Sequence, residues 1–279
     1  MTTADKRRAF RKLHESGCFV IPNPWNVGTA RYLQGLGFKA LATTSSGFAH
    51  SQGYADGAQS RDQVLAHFAE VAAAVDVPLN ADFENGYTED FGALAENYRL
   101  CVATGVAGVS IEDFTGDDSN PLYDFDTAVR RVKAVRKAID ETDSSVVFAA
   151  RTEGFIKNRP NMAETVRRLK AFADAGADCL YAPGIKTREQ IETVVKAVAP
   201  KPVNLLMAWP LGFTVKDIAE MGVRRISVGG TLARVAMQAF ITSATAIAKD
   251  GTFDSFAGIL PNAELNKFFH DDRANRPKP

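Results

Sequence analysis

Three acidic residues at the ends of two predicted strands carry the strongest chemical signal in this sequence. Asp82 and Glu84 end a short apolar strand, and their i, i+2 spacing directs both side chains to one face of an extended segment. Glu112 ends a second strand about thirty residues later, a separation typical of a βαβ unit. Because parallel strands end at one edge, these carboxylates predict an oxygen-only site for Mg²⁺ or Mn²⁺. The alternative is that they only cap the helices that follow.

A cation and a further acid follow a third predicted strand. Arg151 and Glu153 lie in the strand end Ala149–Ala150–Arg151–Thr152–Glu153, which places a guanidinium across from the acidic cluster. An oxyanion substrate would complement such an arginine, although Arg151 could also be a structural partner of Glu153 or Glu112. Without Arg151, the edge where these acids and Asp113 meet would have no counter-charge.

Small polar residues offer a place for a substrate oxygen. Ser45, Ser46 and Gly47 combine hydroxyl groups with unencumbered backbone N–H groups, which predicts a cradle for a carboxylate or enolate oxygen. An ordinary turn would have the same composition. Asn204 interrupts an apolar strand, where it either points into the site or serves as a satisfied core amide.

Eight strand-then-helix units must position these residues. Near-continuous apolar strands indicate burial on both faces, and alternation with helices implies parallel pairing. Eight such units favour an α/β fold closed as a (β/α)₈ TIM-type barrel over an open doubly wound sheet. Dinucleotide and P-loop glycine motifs are absent from the sequence. The predicted strands are 18–21, 40–45, 79–83, 108–113, 146–151, 179–182, 203–207 and 225–228.

The two ends of the chain lie outside this repeat. An amphipathic helix over 3–16 is predicted to plug one end of the barrel with Phe10 and Leu13. The barrel domain is predicted to span 1–249, with 232–249 as the eighth covering helix, and a helical tail spans 250–279. We expect this tail to pack on another subunit of a homodimer or homotetramer. Its apolar residues are Phe253, Phe256, Ile259, Leu260, Leu265, Phe268 and Phe269.

Composition narrows the partners and the compartment. The chain has 33 basic and 33 acidic residues among 279, which argues against nucleic acid or an anionic membrane as a partner. Cys18, Cys101 and Cys179 lack metal-ligand spacing and lie in apolar segments, as expected of reduced thiols in a cytoplasmic protein. The expected partner is a small carboxylate substrate.

Several motifs in this order resemble the isocitrate lyase and phosphoenolpyruvate mutase superfamily. The paired acids followed by Gly-Tyr and the Ile-Glu-Asp strand end are the most specific of them, and the resemblance spans most of the chain. The motifs are Ser45–Ser46–Gly47–Phe48, the downstream Asp56, Ala81–Asp82–Phe83–Glu84–Asn85–Gly86–Tyr87, Ile111–Glu112–Asp113 and Ala150–Arg151–Thr152–Glu153.

The resemblance implies roles for individual residues. The barrel of this family exchanges its last helix between subunits, which would explain the apolar tail. Asp82, Glu84 and Glu112 match the family's Mg²⁺ shell, mostly through water, and Asp56 matches an acid that faces that shell. The substrate-binding residues that the resemblance implies are Ser46, Gly47, Phe48 and Arg151, with Trp25 where an aromatic side chain flanks the substrate.

Departures from the family pattern direct the functional prediction. The loop 114–121 lacks the lysine and cysteine of the family's lyases, and Ala182–Pro183–Gly184 replaces the histidine of its phosphonate enzymes. The sequence therefore predicts a Mg²⁺-dependent carbon–carbon lyase or decarboxylase that acts on a small α-keto or α-hydroxy acid through a pyruvate-type enolate. Alternatives are a phosphorus–carbon bond enzyme and a non-catalytic metabolite-binding barrel. Candidate proton donors are Tyr54, Tyr181, Glu153 and metal-bound water.

Overall fold

A computed structural model describes residues 1–276, in which eight parallel strands form a ring. The strands are β1 (Phe19–Ile21), β2 (Leu41–Ala42), β3 (Leu79–Asp82), β4 (Gly108–Glu112), β5 (Val147–Arg151), β6 (Cys179–Tyr181), β7 (Val203–Leu206) and β8 (Arg225–Ser227). They pair in the order β1-β8-β7-β6-β5-β4-β3-β2. The two ends of this order meet where the Ala42 N–H donates to the Pro22 carbonyl over 3.1 Å. The predicted (β/α)₈ barrel is confirmed.

Helices alternate with the strands, and most of them start at a side chain that accepts a backbone N–H. Ser60, Asp90 and Asp124 are three such caps. The helices are α1 (Thr3–Glu15), α2 (Val27–Gly35), α3 (Ser45–Ser51), α4 (Arg61–Ala74), α5 (Phe91–Ala103), α6 (Phe125–Asp143), α7 (Met162–Asp174), α8 (Arg188–Val198), α9 (Val215–Glu220), α10 (Thr231–Asp250) and α11 (Asn262–Ala274), with a 3₁₀ turn at Asp254–Phe256.

Helix α1 closes the amino-terminal end of the barrel, as predicted. Phe10 is fully buried there, and Leu13 packs beside it. Gly108, the first residue of β4, lies directly over the Phe10 ring. A Cβ at this position would come within 2.4 Å of Phe10 Cε1, so the close approach requires glycine.

The predicted strand 40–45 is wrong at its carboxyl end. Strand β2 ends at Ala42, and Ser45 begins the short helix α3. Thr44 caps this helix because its hydroxyl accepts the Gly47 N–H. A hydroxyl residue next to small residues suits a helix start as well as a strand end, and the cap decides between them.

Helix α10 does not cover its own barrel, contrary to the prediction for 232–249. No residue of α10 is buried, and Val235 and Phe240 are 62% and 66% exposed. Periodicity shows that a helix has an apolar face but not which surface covers that face. Among the helices of residues 1–276, α10 is also the one whose length and composition would suffice to cross a membrane, which is weak evidence by itself.

Part of the tail packs on the same chain. The Phe268 ring of α11 lies 4.6 Å from the Tyr32 ring of α2, between ring centroids, and Arg31 of α2 pairs with Asp272 over 3.6 Å. Phe253 and the residues that follow it up to Leu260 remain largely exposed. The last three residues of the predicted tail, 277–279, lie outside the described residues.

Candidate active site

A cavity at the carboxyl end of the strands gathers most of the predicted site residues. We call it the mouth cavity; its volume of about 630 Å³ lies in the usual range for ligand pockets. Its position at this end of the barrel is the one that barrel enzymes use for catalysis. Of the predicted residues, Ser45, Ser46, Asp56, Asp82, Glu84, Glu112, Arg151 and Glu153 line it.

Arg151, at the end of β5, lies among three carboxylates. Its Nη2 donates to Asp82 over 2.7 Å and also contacts Glu112, and its Nε lies 3.4 Å from a Glu153 oxygen. Burial opposes the guanidinium charge, but these carboxylates outweigh burial and raise the pKa of Arg151. The arginine is therefore a permanent cation. It contacts both Glu112 and Glu153, the two structural partners considered for it from the sequence.

The carboxylates around Arg151 are difficult to ionise together. Burial raises the pKa of Glu84 to about 7, although the hydrogen bond from the Tyr87 hydroxyl opposes this rise. Burial also raises the pKa of Glu153 to about 7, opposed by the charges of Arg151 and Lys157. Each group would lose its proton more readily beside an additional cation.

The backbone is strained where β3 delivers Glu84. Glu84 and Tyr87 have φ angles of 45° and 62°, in the left-handed region that non-glycine residues seldom adopt. The Glu84 carbonyl accepts the Glu112 N–H over 3.0 Å, which ties this turn to the end of β4. The strained turn therefore holds two of the predicted metal ligands on adjacent strands.

The donor chemistry of the mouth cavity fits a hard cation. Asp82, Glu84 and Glu112 offer oxygen atoms only, which Mg²⁺ and Mn²⁺ prefer. Within residues 1–276, however, no three acidic, His or Cys side chains are grouped so as to hold a metal ion. The Arg151 guanidinium contacts both Asp82 and Glu112, so a positive charge already lies where two of the predicted ligands meet. The metal site stays a prediction.

Asp113 lies behind the mouth cavity and is not part of its lining, contrary to expectation. It is 3% exposed, and its Oδ2 accepts from Thr152 over 2.8 Å and from Arg168 over 3.0 Å. Its Oδ1 accepts the Glu153 N–H over 2.8 Å. The Asp113–Arg168 pair therefore positions Glu153. This pair could not be predicted from the sequence, because Arg168 resembles any helix-face arginine spaced four residues from Glu164.

The segment 45–47 has fewer free N–H groups than expected. The Ser45 N–H donates to Asp82 Oδ2 over 3.0 Å, and the Gly47 N–H donates to Thr44 over 3.3 Å. The prediction of unencumbered donors is therefore wrong for these two groups. Ser45 and Ser46 still line the mouth cavity at the start of α3.

Three other predicted binding residues are not part of the mouth cavity's lining. Trp25 and Gly47 line a groove between α3 and α10. Phe48 stacks on His67 with ring centroids 3.8 Å apart, which turns its side chain toward the helical layer. The structure therefore does not place Trp25, Gly47 or Phe48 at the mouth cavity.

Asn204 has the environment of a satisfied core amide. Its Nδ2 donates to Ser227 over 2.9 Å, and its Oδ1 accepts from the buried Arg225 over 2.8 Å. These residues line a small cavity beneath the mouth cavity. Of the two roles considered for Asn204, the structure favours the structural one.

Lys157 is a second cation of the mouth cavity that sequence reasoning missed. The backbone N–H of Lys157 donates to the Glu153 carbonyl over 2.9 Å, which places Lys157 one turn beyond Glu153. Its Nζ lies 3.0 Å from Asp118 and 3.4 Å from the centroid of the Phe114 ring. The spacing from Glu153 could have indicated Lys157 had the segment 153–157 been read as a helical turn.

The fold and much of the sequence recur in known proteins. A family model described as phosphoenolpyruvate phosphomutase matches residues 10–248. A Burkholderia cenocepacia J2315 protein, described only as a lyase or mutase, has a solved structure that is 43% identical with a TM-score of 0.91, over 96% of each chain.

Two further relatives carry more specific descriptions. An oxaloacetate decarboxylase of Paraburkholderia xenovorans (strain LB400) is 30% identical over 85% of this chain and 80% of its own. A phosphonopyruvate hydrolase, solved in complex with oxalate and Mg²⁺, is 26% identical with a TM-score of 0.84, over 98% of this chain and 97% of that one.

Proposed function

The chain belongs to the phosphoenolpyruvate phosphomutase family, and we propose that it is a Mg²⁺- or Mn²⁺-dependent enzyme that cleaves a carbon–carbon bond of a small α-keto or α-hydroxy acid. The observation that carries this proposal is the shared ion-pair cluster in which Asp82, Glu112 and Glu153 surround Arg151 at the mouth cavity. An excess of negative charge with one arginine suits a metal ion together with an anionic substrate.

Asp82, Glu84 and Glu112 would hold the metal ion. When bound, such an ion supplies positive charge that stabilises an enolate oxygen of the substrate. Binding a divalent ion would offset the like charges of the carboxylates and leave the Arg151 guanidinium available to the substrate. The similarity to a hydrolase solved with oxalate and Mg²⁺ supports this assignment.

The chain's own residues bind and orient the substrate. Arg151 offers a planar set of donors that matches a carboxylate. Asp82 fixes the start of α3 through the Ser45 N–H, so the serine hydroxyls at this helix start keep a defined position beside Arg151. We assign to Arg151 the binding of the substrate's carboxylate, and to Ser45 and Ser46 the keto or hydroxy oxygen.

Proton delivery to the enolate carbon falls to Tyr181 or Glu153. Tyr181 and Glu153 are 9% and 6% exposed, and both lie close to Arg151 in the mouth cavity. Tyr54 is 43% exposed and lies 3.5 Å from the Gln63 side chain, outside this group. A buried donor that shares the cavity with Arg151 can transfer its proton without competition from bulk water.

A phosphorus–carbon bond reaction is the second candidate. Its support is the phosphonopyruvate hydrolase relative, which matches nearly the whole chain. The loop after β4, where Phe114 bridges Leu122, carries no lysine or cysteine, so the chemistry of that loop does not favour either reaction class.

We also propose that α10 packs on a second copy of the chain in a homodimer or homotetramer. Phe240 and Ile241 are 66% and 49% exposed, and burying such side chains stabilises an interface by roughly 1.5 to 3 kcal/mol each. Sedimentation of the Phe240→Asp variant should show smaller particles than the wild type. An unchanged particle size, or a wild-type monomer, would remove this part of the proposal.

We place the enzyme in the cytoplasm. All three cysteines are free, and Cys101 and Cys179 are fully buried. The fold therefore uses no disulfide bond, as is usual in a reducing compartment. The neutral balance of charges argues against nucleic acid or an anionic membrane as a partner, which leaves the small carboxylate substrate.

The proposed reaction can be tested by proton NMR. The purified chain is incubated with a panel of α-keto and α-hydroxy acids and with phosphonopyruvate, in Mg²⁺ or in EDTA. We expect one of the α-keto or α-hydroxy acids to yield a pyruvate-type or glyoxylate-type product in Mg²⁺. The rate of this reaction should fall at least about a hundred-fold in EDTA. Turnover that is independent of metal, or turnover of phosphonopyruvate alone, would contradict the proposal.

A further inference from the structure

A small cavity inside the barrel, beneath the mouth cavity, is lined by a buried arginine that the proposed reaction does not use. We call it the inner cavity; its volume of about 50 Å³ is enough for one small ion or a few water molecules. Arg225, the first residue of β8, lines this cavity and is 4% exposed. What the inner cavity can bind depends on how the charge of Arg225 is balanced.

Arg225 has only neutral partners. Its Nε donates to Asn204 Oδ1 over 2.8 Å, and its Nη1 lies 3.4 Å from Asn80 Oδ1. Within residues 1–276, no carboxylate forms an ion pair with this guanidinium, and its Nη2 has no hydrogen-bond acceptor. A guanidinium keeps its charge in proteins, and a buried charge is costly unless it is paired. Arg225 therefore calls for a counter-ion.

The titratable groups close to Arg225 do not supply the missing negative charge. Burial lowers the pKa of His14 on α1 to about 3, and the charge of Arg225 adds to this shift. Burial raises the pKa of the Cys179 thiol on β6, although Arg225 opposes the rise. Both groups are therefore neutral at neutral pH, and the charge of Arg225 remains unbalanced.

The inner cavity has two other charged lining residues, and these pair with each other. The Arg151 Nη2 donates to Asp82 Oδ1 over 2.7 Å, and Asp82 Oδ2 accepts the Ser45 N–H over 3.0 Å. The other carboxylates of the ion-pair cluster line the mouth cavity but not the inner cavity. Of the charges in this lining, that of Arg225 is the one without a partner.

Hydroxyl groups add neutral donors to the inner cavity. Thr43 accepts the Asp82 N–H over 2.9 Å, and Ser227 accepts from Asn204 Nδ2 over 2.9 Å. Because a hydroxyl group can accept and donate at once, Thr43 and Ser227 each keep an O–H group to donate. One guanidinium and two hydroxyl groups around a space of this size suit a single compact anion.

We propose that the inner cavity binds one monovalent inorganic anion of the size of chloride, held by Arg225, Thr43 and Ser227. This inference is independent of the proposed function. The anion balances the charge of Arg225 inside the barrel, so its binding stabilises the folded chain. Gluconate is too large for this cavity, and sulfate would bring a second negative charge that the lining does not balance.

Thermal unfolding at constant ionic strength tests this inference. Sodium chloride replaces sodium gluconate stepwise for the wild type, for Arg225→Met and for a control, Arg224→Gln. Arg224 is a matched control because it is the neighbouring arginine, its Nη1 donates to the Gly17 carbonyl, and it does not line the inner cavity.

The melting temperature of the wild type should rise with chloride by about 3 °C or more and then level off, as saturation of one site requires. Bromide should replace chloride. Arg224→Gln should keep this dependence on the halide, and Arg225→Met should lose it.

Wild-type crystals grown in bromide locate the anion without any variant. Anomalous scattering should show one bromide ion in the inner cavity, at hydrogen-bond distance from Arg225 Nη2. This map decides the question alone if Arg225→Met does not fold.

Three results would overturn the inference. The first is a wild-type melting temperature that does not respond to chloride at constant ionic strength. The second is an inner cavity that holds only water in the bromide crystals. The third is a chloride dependence that survives in Arg225→Met, which would assign the effect to another site.

Discussion

The two ends of the barrel both bury cationic side chains, but they give these cations different partners. At the amino-terminal end, Lys6 donates to the carbonyls of Ala72 and Val75, 2.8 and 2.5 Å away, which end helix α4. At the carboxyl end, Arg151 faces Asp82 and two further carboxylates. At the amino-terminal end Lys6 satisfies neutral acceptors, whereas the carboxyl end gathers more negative charge than its arginine can neutralise.

This difference separates structure from function. Backbone carbonyls at a helix end need a donor in order to be buried, so the cation at the amino-terminal end of the barrel completes the fold. Clustered carboxylates cost free energy in the folded chain, and groups of this kind concentrate where a ligand compensates them. We therefore expect substitutions at the amino-terminal end of the barrel to change stability, and substitutions at the carboxyl end to change ligand binding and activity.

Asp82→Ala should have the largest effect on activity. It removes a predicted metal ligand and the acceptor of the Ser45 N–H, so kcat/KM should fall by on the order of 10² to 10³ or more. Stability should change little, because Glu112 and Glu153 still pair with Arg151 and one like charge is lost. Steady-state kinetics and urea unfolding measure the two effects. An unfolded variant, or one with normal metal-dependent ligand binding, would contradict the assignment of the carboxyl end to function.

Phe10→Ala should have the opposite profile. Truncating this fully buried ring should lower the free energy of unfolding by about 3 to 5 kcal/mol, because it leaves a cavity beneath the barrel. The kcat of the molecules that remain folded should equal that of the wild type. Leu36→Ala, at a residue that is 62% exposed, is the control and should change stability by less than about 0.5 kcal/mol. Loss of kcat at full folding would show that the two ends are coupled.

Arg151→Lys sharpens the comparison within the mouth cavity. The charge is kept but the planar set of donors is lost, so oxalate affinity should fall by about ten- to a hundred-fold. The melting temperature should change by only a few degrees. Calorimetry of oxalate binding in Mg²⁺ provides the measurement. Unchanged affinity and kinetics would assign Arg151 a purely structural role.

The pH dependence of metal binding is the smallest expected effect. The pKa of Glu84 is raised to about 7 by burial, so the carboxyl is largely protonated at pH 6 and ionised at pH 8. Because metal ligands must be deprotonated, Mg²⁺ should bind more tightly as pH rises across this range, by at most about tenfold per unit. Calorimetry in buffers of different ionisation enthalpy should also detect proton release. Affinity that is flat between pH 6 and pH 8 would exclude Glu84 as a titrating ligand.

The sequence was sufficient for the ring of strands and for the acids at its mouth. Apolar strands alternating with amphipathic helices determine a parallel barrel, and that topology alone brings Asp82, Glu112 and Arg151 to one end. These residues end β3, β4 and β5, which are consecutive neighbours in the sheet, so strand order places them side by side; the direct pair of Asp82 with Arg151 was not predicted.

The remaining features depend on tertiary contacts that have no local signal. The Asp113–Arg168 pair joins the residue after β4 to α7, 55 residues apart, and the sequence near either residue does not predict it. The exposed face of α10 looks like any core-facing helix stripe until its position relative to the barrel is known. The Thr44 cap converts a predicted strand end into α3 because a helix start and a strand end share small hydroxyl residues.

Calorimetry of oxalate binding in Mg²⁺ and in EDTA tests the central claim most directly. Oxalate mimics the enolate of pyruvate, so it probes the metal ion and Arg151 together without turnover. We predict that the chain binds oxalate in Mg²⁺ and at least about a hundred-fold more weakly in EDTA, because the carboxylates Asp82, Glu84 and Glu112 then repel the anion without a metal ion between them. Absence of oxalate binding in both conditions, or equal binding in both, would contradict an enolate site at this mouth.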